Sequence, residues 1–208
     1  MFNLDKKEEK ILKKLDNPEK IQDFINKLEI NFEENGETFM SPRNVLKTGK
    51  AHCIEGAVLA ALCLRLQGFK PLVVDLKTIK QDFEHVIAVF KIDGKWGAIS
   101  KTNHAVLRYR EPVYNSIREL VMSYFHEYTD KKGRKTLRSY SVPVDLSRFD
   151  RKEWVTSEKN LWYIHDYLDK VKHYKILTRK QARNLRKADK IEIKAGEVVE
   201  WKKQGARS

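Results

Sequence analysis

The run from Ile54 to Leu66 constrains this chain more than any other. Its apolar residues fall on every face of a helix, and only Glu55, Arg65 and the adjoining Gln67 carry large polar groups. A helix that is apolar all round has to be enclosed by other elements, so the fold must wrap this segment. Thr48-Gly49 turns the chain into it, and Cys53 falls in its first turn. The first backbone N–H groups of a helix lack intrahelical partners, and its dipole places partial positive charge there. Both favour a thiolate at Cys53, as does a protonated His52 beside it. Two readings of Cys53 follow: a small buried hydrophobe, or a nucleophile on a rigid support.

Cys53 and Cys63 stand ten residues apart on one helix, a separation of about 15 Å at 1.5 Å per residue. A disulfide needs Cα atoms roughly 4.4–6.8 Å apart, so the two thiols cannot pair with each other. The charged stretch Met1 to Lys10 has no apolar run of the signal-peptide kind, and nothing approaches the ~20 apolar residues of a membrane span. The expected setting is the cytoplasm, with free thiols and no membrane partner. With 41% hydrophobic and 34% charged residues, the chain has enough apolar content for a packed core, and disorder is not the default. Of the formal net charge of +13, +8 falls on residues 151–208. That basic region is either a solvated lysine-rich surface or a surface for an anionic partner.

In chain order, residues 4–15 and 18–34 have helical periodicity, with Asn17-Pro18 as cap and first-turn proline. Residues 70–77 have strand composition. Next come His85 to Ile92, Asp93-Gly94, and Lys95 to Ser100. Asp-Gly between two apolar runs is a strong hairpin signal. With those two residues as the loop, paired positions sum to 187, Ile87 faces Ser100, and His85 and Ser100 become diagonal neighbours on one sheet face. Ser116 to Tyr128 reads as a helix and Leu137 to Val144 as a strand. Residues 157–172 and 178–187 read as helices, and 190–201 as a short strand pair. His104, His126, His165 and His173 show no metal-ligand spacing, so no metal site is expected.

A cysteine at a helix start, a histidine opening a strand and a polar residue on the next strand are the parts of an activated thiol. The base must reach the sulfur, and a third group must orient the imidazole. The set Gly49-x-x-x-Cys53-x-x-x-Ala57, Leu66-Gln-Gly-Phe-Lys-Pro71, His85 and Asp93-Gly-Lys-Trp96 resembles the core of the transglutaminase-like superfamily, in an uncharacterised bacterial branch. The resemblance covers about residues 41–105.

It implies an α+β fold: a papain-like core over 41–150, with its Cys-bearing helix packed on an antiparallel sheet, a helical lead-in over 1–40, and a basic extension over 151–208. It also implies acyl chemistry on a peptide or amide, by hydrolysis or transfer, with no cofactor. Cys53 takes the nucleophile position and His85 the base position. The third position falls on Ser100, where the family has Asp. A serine can accept the His85 Nδ1–H bond but brings no charge, so Asn103 and Asp82 stand as alternative orienting groups. Oxyanion donors would be the Cys53 N–H with Asn44 or Asn103, and His52 lends support. Arg108 and Arg110 are candidates for binding an anion. The competing expectation is a fold that has lost the reaction and serves as a protein-binding or nucleic-acid-binding module.

Overall fold

The computed structural model describes residues 2–202. The chain opens with α1 (Lys6–Leu12) and α2 (Pro18–Lys27), then β1 (Glu29–Ile30), α3 (Pro42–Thr48), β2 (Lys50–Ala51) and α4 (Cys53–Leu66). The central strands follow: β3 (Leu72–Lys77), β4 (His85–Ile92), β5 (Lys95–Ile99) and β6 (Arg110–Tyr114). Next come α5 (Ile117–Tyr124), β7 (Ser139–Ser141), β8 (Val144–Asp145) and a 3₁₀ segment at Leu146–Lys152. The chain continues through α6 (Trp162–Lys170), β9 (His173–Lys175), α7 (Arg179–Arg183) and α8 (Lys190–Glu197). It is an α+β fold. Among the described residues no helix is long and apolar enough to cross a membrane.

The main sheet has seven antiparallel strands in the order β6-β5-β4-β3-β7-β9, with β8 also paired to β3. Along β4 the side chains alternate between two cores. Val86, Ala88 and Phe90 join the cluster that contains α4, whereas Ile87 and Val89 join the cluster built on α5. Burial on both faces explains why His85 to Phe90 is almost continuously apolar and enclosed. Every residue of α4 from Ile54 to Leu64 is buried, as its composition requires.

The β4–β5 hairpin has the expected register, with Ala88 opposite Ile99 and Ile92 opposite Lys95. Asp93 and Gly94 both have positive φ, 48° and 78°, the geometry of a type I′ turn. It places Ile87 level with Ser100 at the end of the sheet.

Several expected elements are shorter or different in kind. The second helix ends at Lys27 rather than residue 34, because Leu28 is extended and leads into β1, which pairs in parallel with β2. The strand expected over 137–144 is divided into β7 and β8 around Pro143, which has no N–H to donate to a ladder. The strand pair expected over 190–201 is instead α8, because Asp189 and Glu192 form a capping box at its start. The chain beyond α8 runs beside residues 103–105, with Ala105 N–H donating to Val198 O and Glu200 N–H to Asn103 O, both at 2.9 Å.

Candidate active site

The site forms where the start of α4 meets the start of β4 and the end of β5. Cys53 is the first residue of α4 and is half-buried. His85 opens β4 with 6% of its surface exposed, and Ser100, just past β5, is fully enclosed. His85 Nε2 and Ser100 Oγ are 2.7 Å apart. The direction of that bond follows from the serine's other partner. Ser100 Oγ lies 2.6 Å from the carbonyl oxygen of Leu107, which can only accept, so the single hydroxyl proton goes there. Ser100 therefore accepts from His85 Nε2–H, which leaves Nδ1 as the ring nitrogen that can take up and give back a proton. The sequence places Nδ1 on the serine; the structure has Nε2 there, so contact with Cys53 falls to the other ring nitrogen.

Ser100 is itself fixed by a residue distant in sequence. Gln22, on α2, donates from Nε2 to Ser100 O at 2.8 Å and accepts from Ser100 N–H at 2.9 Å. This two-point clamp makes the side chain of Gln22 an extra strand partner. Immediately beyond it, Lys101 is 1% exposed and directs its ammonium to Leu28 O. Burial draws the Lys101 pKa down to about 8.

His52 supplies a second imidazole. Its Nε2 meets Thr38 O at 3.0 Å and lies 3.4 Å from Glu55 Oε1 and 3.5 Å from Glu33 Oε1. Glu55 is fully buried one turn into α4, where it accepts from Thr38 Oγ1 and Met40 N at 2.8 Å, from His52 N at 3.0 Å and from Asn31 Nδ2 at 3.2 Å. One carboxylate thus ties the chain around residues 31–40 to the head of the helix. Burial pushes the Cys53 thiol up, but hydrogen bonds from His52 and His85 and the charges of both rings outweigh it, leaving a pKa of about 5. Burial lowers His52, but its hydrogen bond and charge contact with Cys53, with help from Glu55, carry it to about 9. Near neutral pH the pair is a thiolate and an imidazolium. Cys63, enclosed within α4, is pushed up to about 12 by burial.

The remaining sequence candidates lie elsewhere or are already engaged. Asn103 does not orient His85: its amide exchanges hydrogen bonds with the Trp201 backbone, at 2.8 and 2.9 Å. Asp82 accepts from Thr136 Oγ1 and from Phe83 N–H. Asn44 turns its amide to the carbonyls of Ser157 and Glu158, each at 3.4 Å, so it is committed to that loop. Arg108 pairs with Glu200 at 2.9 Å, and Arg110 pairs with Glu127 at 2.6 Å while lying over the Tyr124 ring. Neither guanidinium is left open for an anion, because an internal carboxylate holds each.

Sequence reasoning missed Gln22, Thr38, Glu55 and the Leu107 carbonyl as site components. Only Glu55 left a trace, as an isolated carboxylate in an otherwise apolar helix. A cavity of about 820 Å³ lies at the opposite end of α4 beside Leu12, Leu15, Arg65 and Leu66, roughly 20 Å from Cys53 along the helix. It is separate from this chemistry. Near β3, the Lys77 ammonium bonds to Glu84 and Asp169 and lies 3.2 Å from Asp75, so that carboxylate cluster already encloses a cation. The sequence matches no family model and no curated protein.

Proposed function

We propose that this protein carries out thiol-dependent acyl chemistry on an amide or peptide, with a core of the papain-like, transglutaminase-like kind. The observation that carries the reading is the tautomer of His85: with Nε2–H held by Ser100, the Nδ1 lone pair is free to exchange a proton at Cys53. The His52 imidazolium keeps the sulfur ionised at rest. With its proton passed to His85 Nδ1, sulfur attacks the carbonyl carbon, His85 returns that proton to the departing amine as the C–N bond breaks, and the acyl thioester is released to water or to an amine whose proton His85 takes up and gives back to sulfur. Neutral Ser100 orients the ring without charge. The negative charge that a third carboxylate would supply is instead present beside the other imidazole, at Glu55 and Glu33.

The test is the pH dependence of Cys53 alkylation by iodoacetamide in Cys63→Ala and in its His52→Ala and His85→Ala derivatives. The expected rate rises through about pH 5 and is flat above pH 7, as for a thiolate whose pKa lies far below the free value of about 8.5. Loss of His52 should move the midpoint upward by more than a unit. A Cys53 that titrates near 8.5, or is inert at every pH, sinks the catalytic reading and leaves a binding module.

A further inference from the structure

Leu107, whose carbonyl fixes the Ser100 hydroxyl, has a strained backbone. Among the described residues, four other than glycine have a positive φ: Glu33, Asp93, Leu107 and Glu153. Three have a local cause. Asp93 is in the hairpin turn, Glu33 donates its N–H to the Asn31 side chain at 3.1 Å, and Glu153 ends the 3₁₀ segment. Leu107, at φ 62°, lies in the connection between β5 and β6, outside any helix end or hairpin turn. A left-handed residue other than glycine persists only where its surroundings impose it, and such residues gather at functional sites.

Glu127 imposes it here. Its Oε2 accepts from Leu107 N–H and its Oε1 from Arg110 Nη2, each at 2.6 Å, so one carboxylate grips both ends of the stretch 107–110. The grip is anchored at the end of α5. Glu127 N–H donates to Tyr124 O and the Tyr124 hydroxyl donates to Arg108 O, both at 3.0 Å. Arg110 lies over the Tyr124 ring at 4.0 Å, and its Nε donates to Ser123 Oγ at 2.9 Å. With its N–H fixed and its φ positive, Leu107 presents its carbonyl to Ser100 Oγ, 2.6 Å away. A leucine released from Glu127 would relax to negative φ and carry that carbonyl away. Ser100 could then donate to His85 Nε2, and the ring's own proton would sit on Nδ1.

We propose that Glu127 is a positioning residue of the Cys53 site: by holding Leu107 in the left-handed region it aims the Leu107 carbonyl at Ser100, which keeps the His85 proton on Nε2 and leaves Nδ1 open. The assignment rests on the thiolate reading above. It gives the site a carboxylate that acts through two intermediaries, and what that carboxylate controls is the place of a proton rather than the charge of the ring.

Hydrolysis of p-nitrophenyl acetate separates this role from a general loosening of the fold. In the burst, sulfur bonds to the acetyl carbon and p-nitrophenolate leaves without needing a proton, forming the acetyl thioester. In the slower second step water adds to that carbon. His85 Nδ1 takes the water's proton and returns it to sulfur as the C–S bond breaks, and acetic acid leaves. Glu127→Gln keeps the shape of the side chain, but an amide has one acceptor oxygen for two donors, Leu107 N–H and Arg110. In full-length Cys63→Ala protein it should slow the steady release of p-nitrophenolate, per burst equivalent, by roughly tenfold, part of the ~100-fold or more that a positioned base supplies. The burst rate and the pH midpoint of alkylation by iodoacetamide should not change. Glycine takes a positive φ without strain, so in Leu107→Gly protein the same substitution should cost no more than about twofold. In Cys53→Ala protein, at a pH where the ring is neutral, NMR of nitrogen-15-labelled histidine should show His85 protonated at Nε2, and Glu127→Gln should add the Nδ1–H form.

Equal loss in burst and steady release, loss in neither, an unmoved tautomer, or the same loss in Leu107→Gly protein overturns the assignment. A Glu127-containing protein with no burst and an inert Cys53 overturns the thiolate reading instead. The tautomer measurement, made without the thiol, then still decides whether Glu127 governs His85.

Discussion

Gly56 lies one turn into α4, where the helix passes directly over the end of β5. A Cβ built there would overlap the Cβ of Lys101, reach its Cγ at 3.0 Å and approach Ile25 Cγ2 at 3.7 Å. The colliding atom is the root of the Lys101 side chain and cannot rotate away, so relief requires the backbone to retreat by ~1 Å to restore carbon–carbon contact near 3.5–4.0 Å. Overpacking costs about 1–3 kcal/mol, and a clash with a side-chain root that cannot swing aside falls in the upper part of that range, about 2–3 kcal/mol; exchanging glycine for alanine inside a helix returns about 1 kcal/mol. A net loss of about 1–2 kcal/mol is expected for Gly56→Ala, which lowers the melting temperature by roughly 3–6 °C in a protein of this size.

The displacement also reaches the chemistry, because Lys101 follows Ser100, whose hydroxyl sets the His85 ring. Thermal melting monitored by fluorescence, together with the steady release of p-nitrophenolate that follows the burst, reads both effects. That rate should fall by more than the folded fraction accounts for. An unchanged or raised melting temperature would refute the reasoning, since it would mean that α4 and the end of β5 can separate freely.

Two further outcomes follow from charges enclosed near the site. Glu55→Gln keeps the shape of the side chain but removes the negative charge beside His52; the His52 pKa should fall and the Cys53 alkylation midpoint rise by about a unit, and an unmoved midpoint would show that Glu55 serves only to anchor Thr38 and Met40. Lys101 has its pKa lowered in the fold to about 8 against about 10.4 when free, so the unfolded chain binds more protons between those values and stability gains from this group as pH rises through that window. Lys101→Met should abolish that gain, measured as the wild-type minus variant difference in urea midpoint from pH 7 to 10.5; a difference constant with pH would refute it.

The parts of the site that follow from local chemistry could be read from the chain. Asp93-Gly94 forces one turn type, the turn fixes the register, and the register brings His85 to Ser100. The all-round apolar helix likewise places Cys53 at a helix start. What could not be read are choices between equivalent partners made in three dimensions. An asparagine near the site is as competent to meet a backbone as an imidazole, and Asn103 meets Trp201 while Asn44 meets Ser157 and Glu158. Gln22 is one polar residue of an amphipathic helix until α2 is laid beside β5. The alternation of Ile191 and Ile193 has the period of a strand, and the Asp189–Glu192 capping box prevails over it.

The Gln22 clamp has a consequence for the order of events during folding. It joins residues separated by 78 positions, and the carboxylate of Glu55 gathers the chain around residues 31–40 against the backbone of His52. Closing long loops is entropically costly and comes late unless many contacts are made with it. Secondary structure and the β4–β5 hairpin can therefore be complete while the sulfur still titrates as an ordinary thiol. The share of the Cys53 shift that His85 supplies is a property of the finished molecule, and its onset marks the moment at which the chain around Gln22 and the chain around Ser100 have found each other.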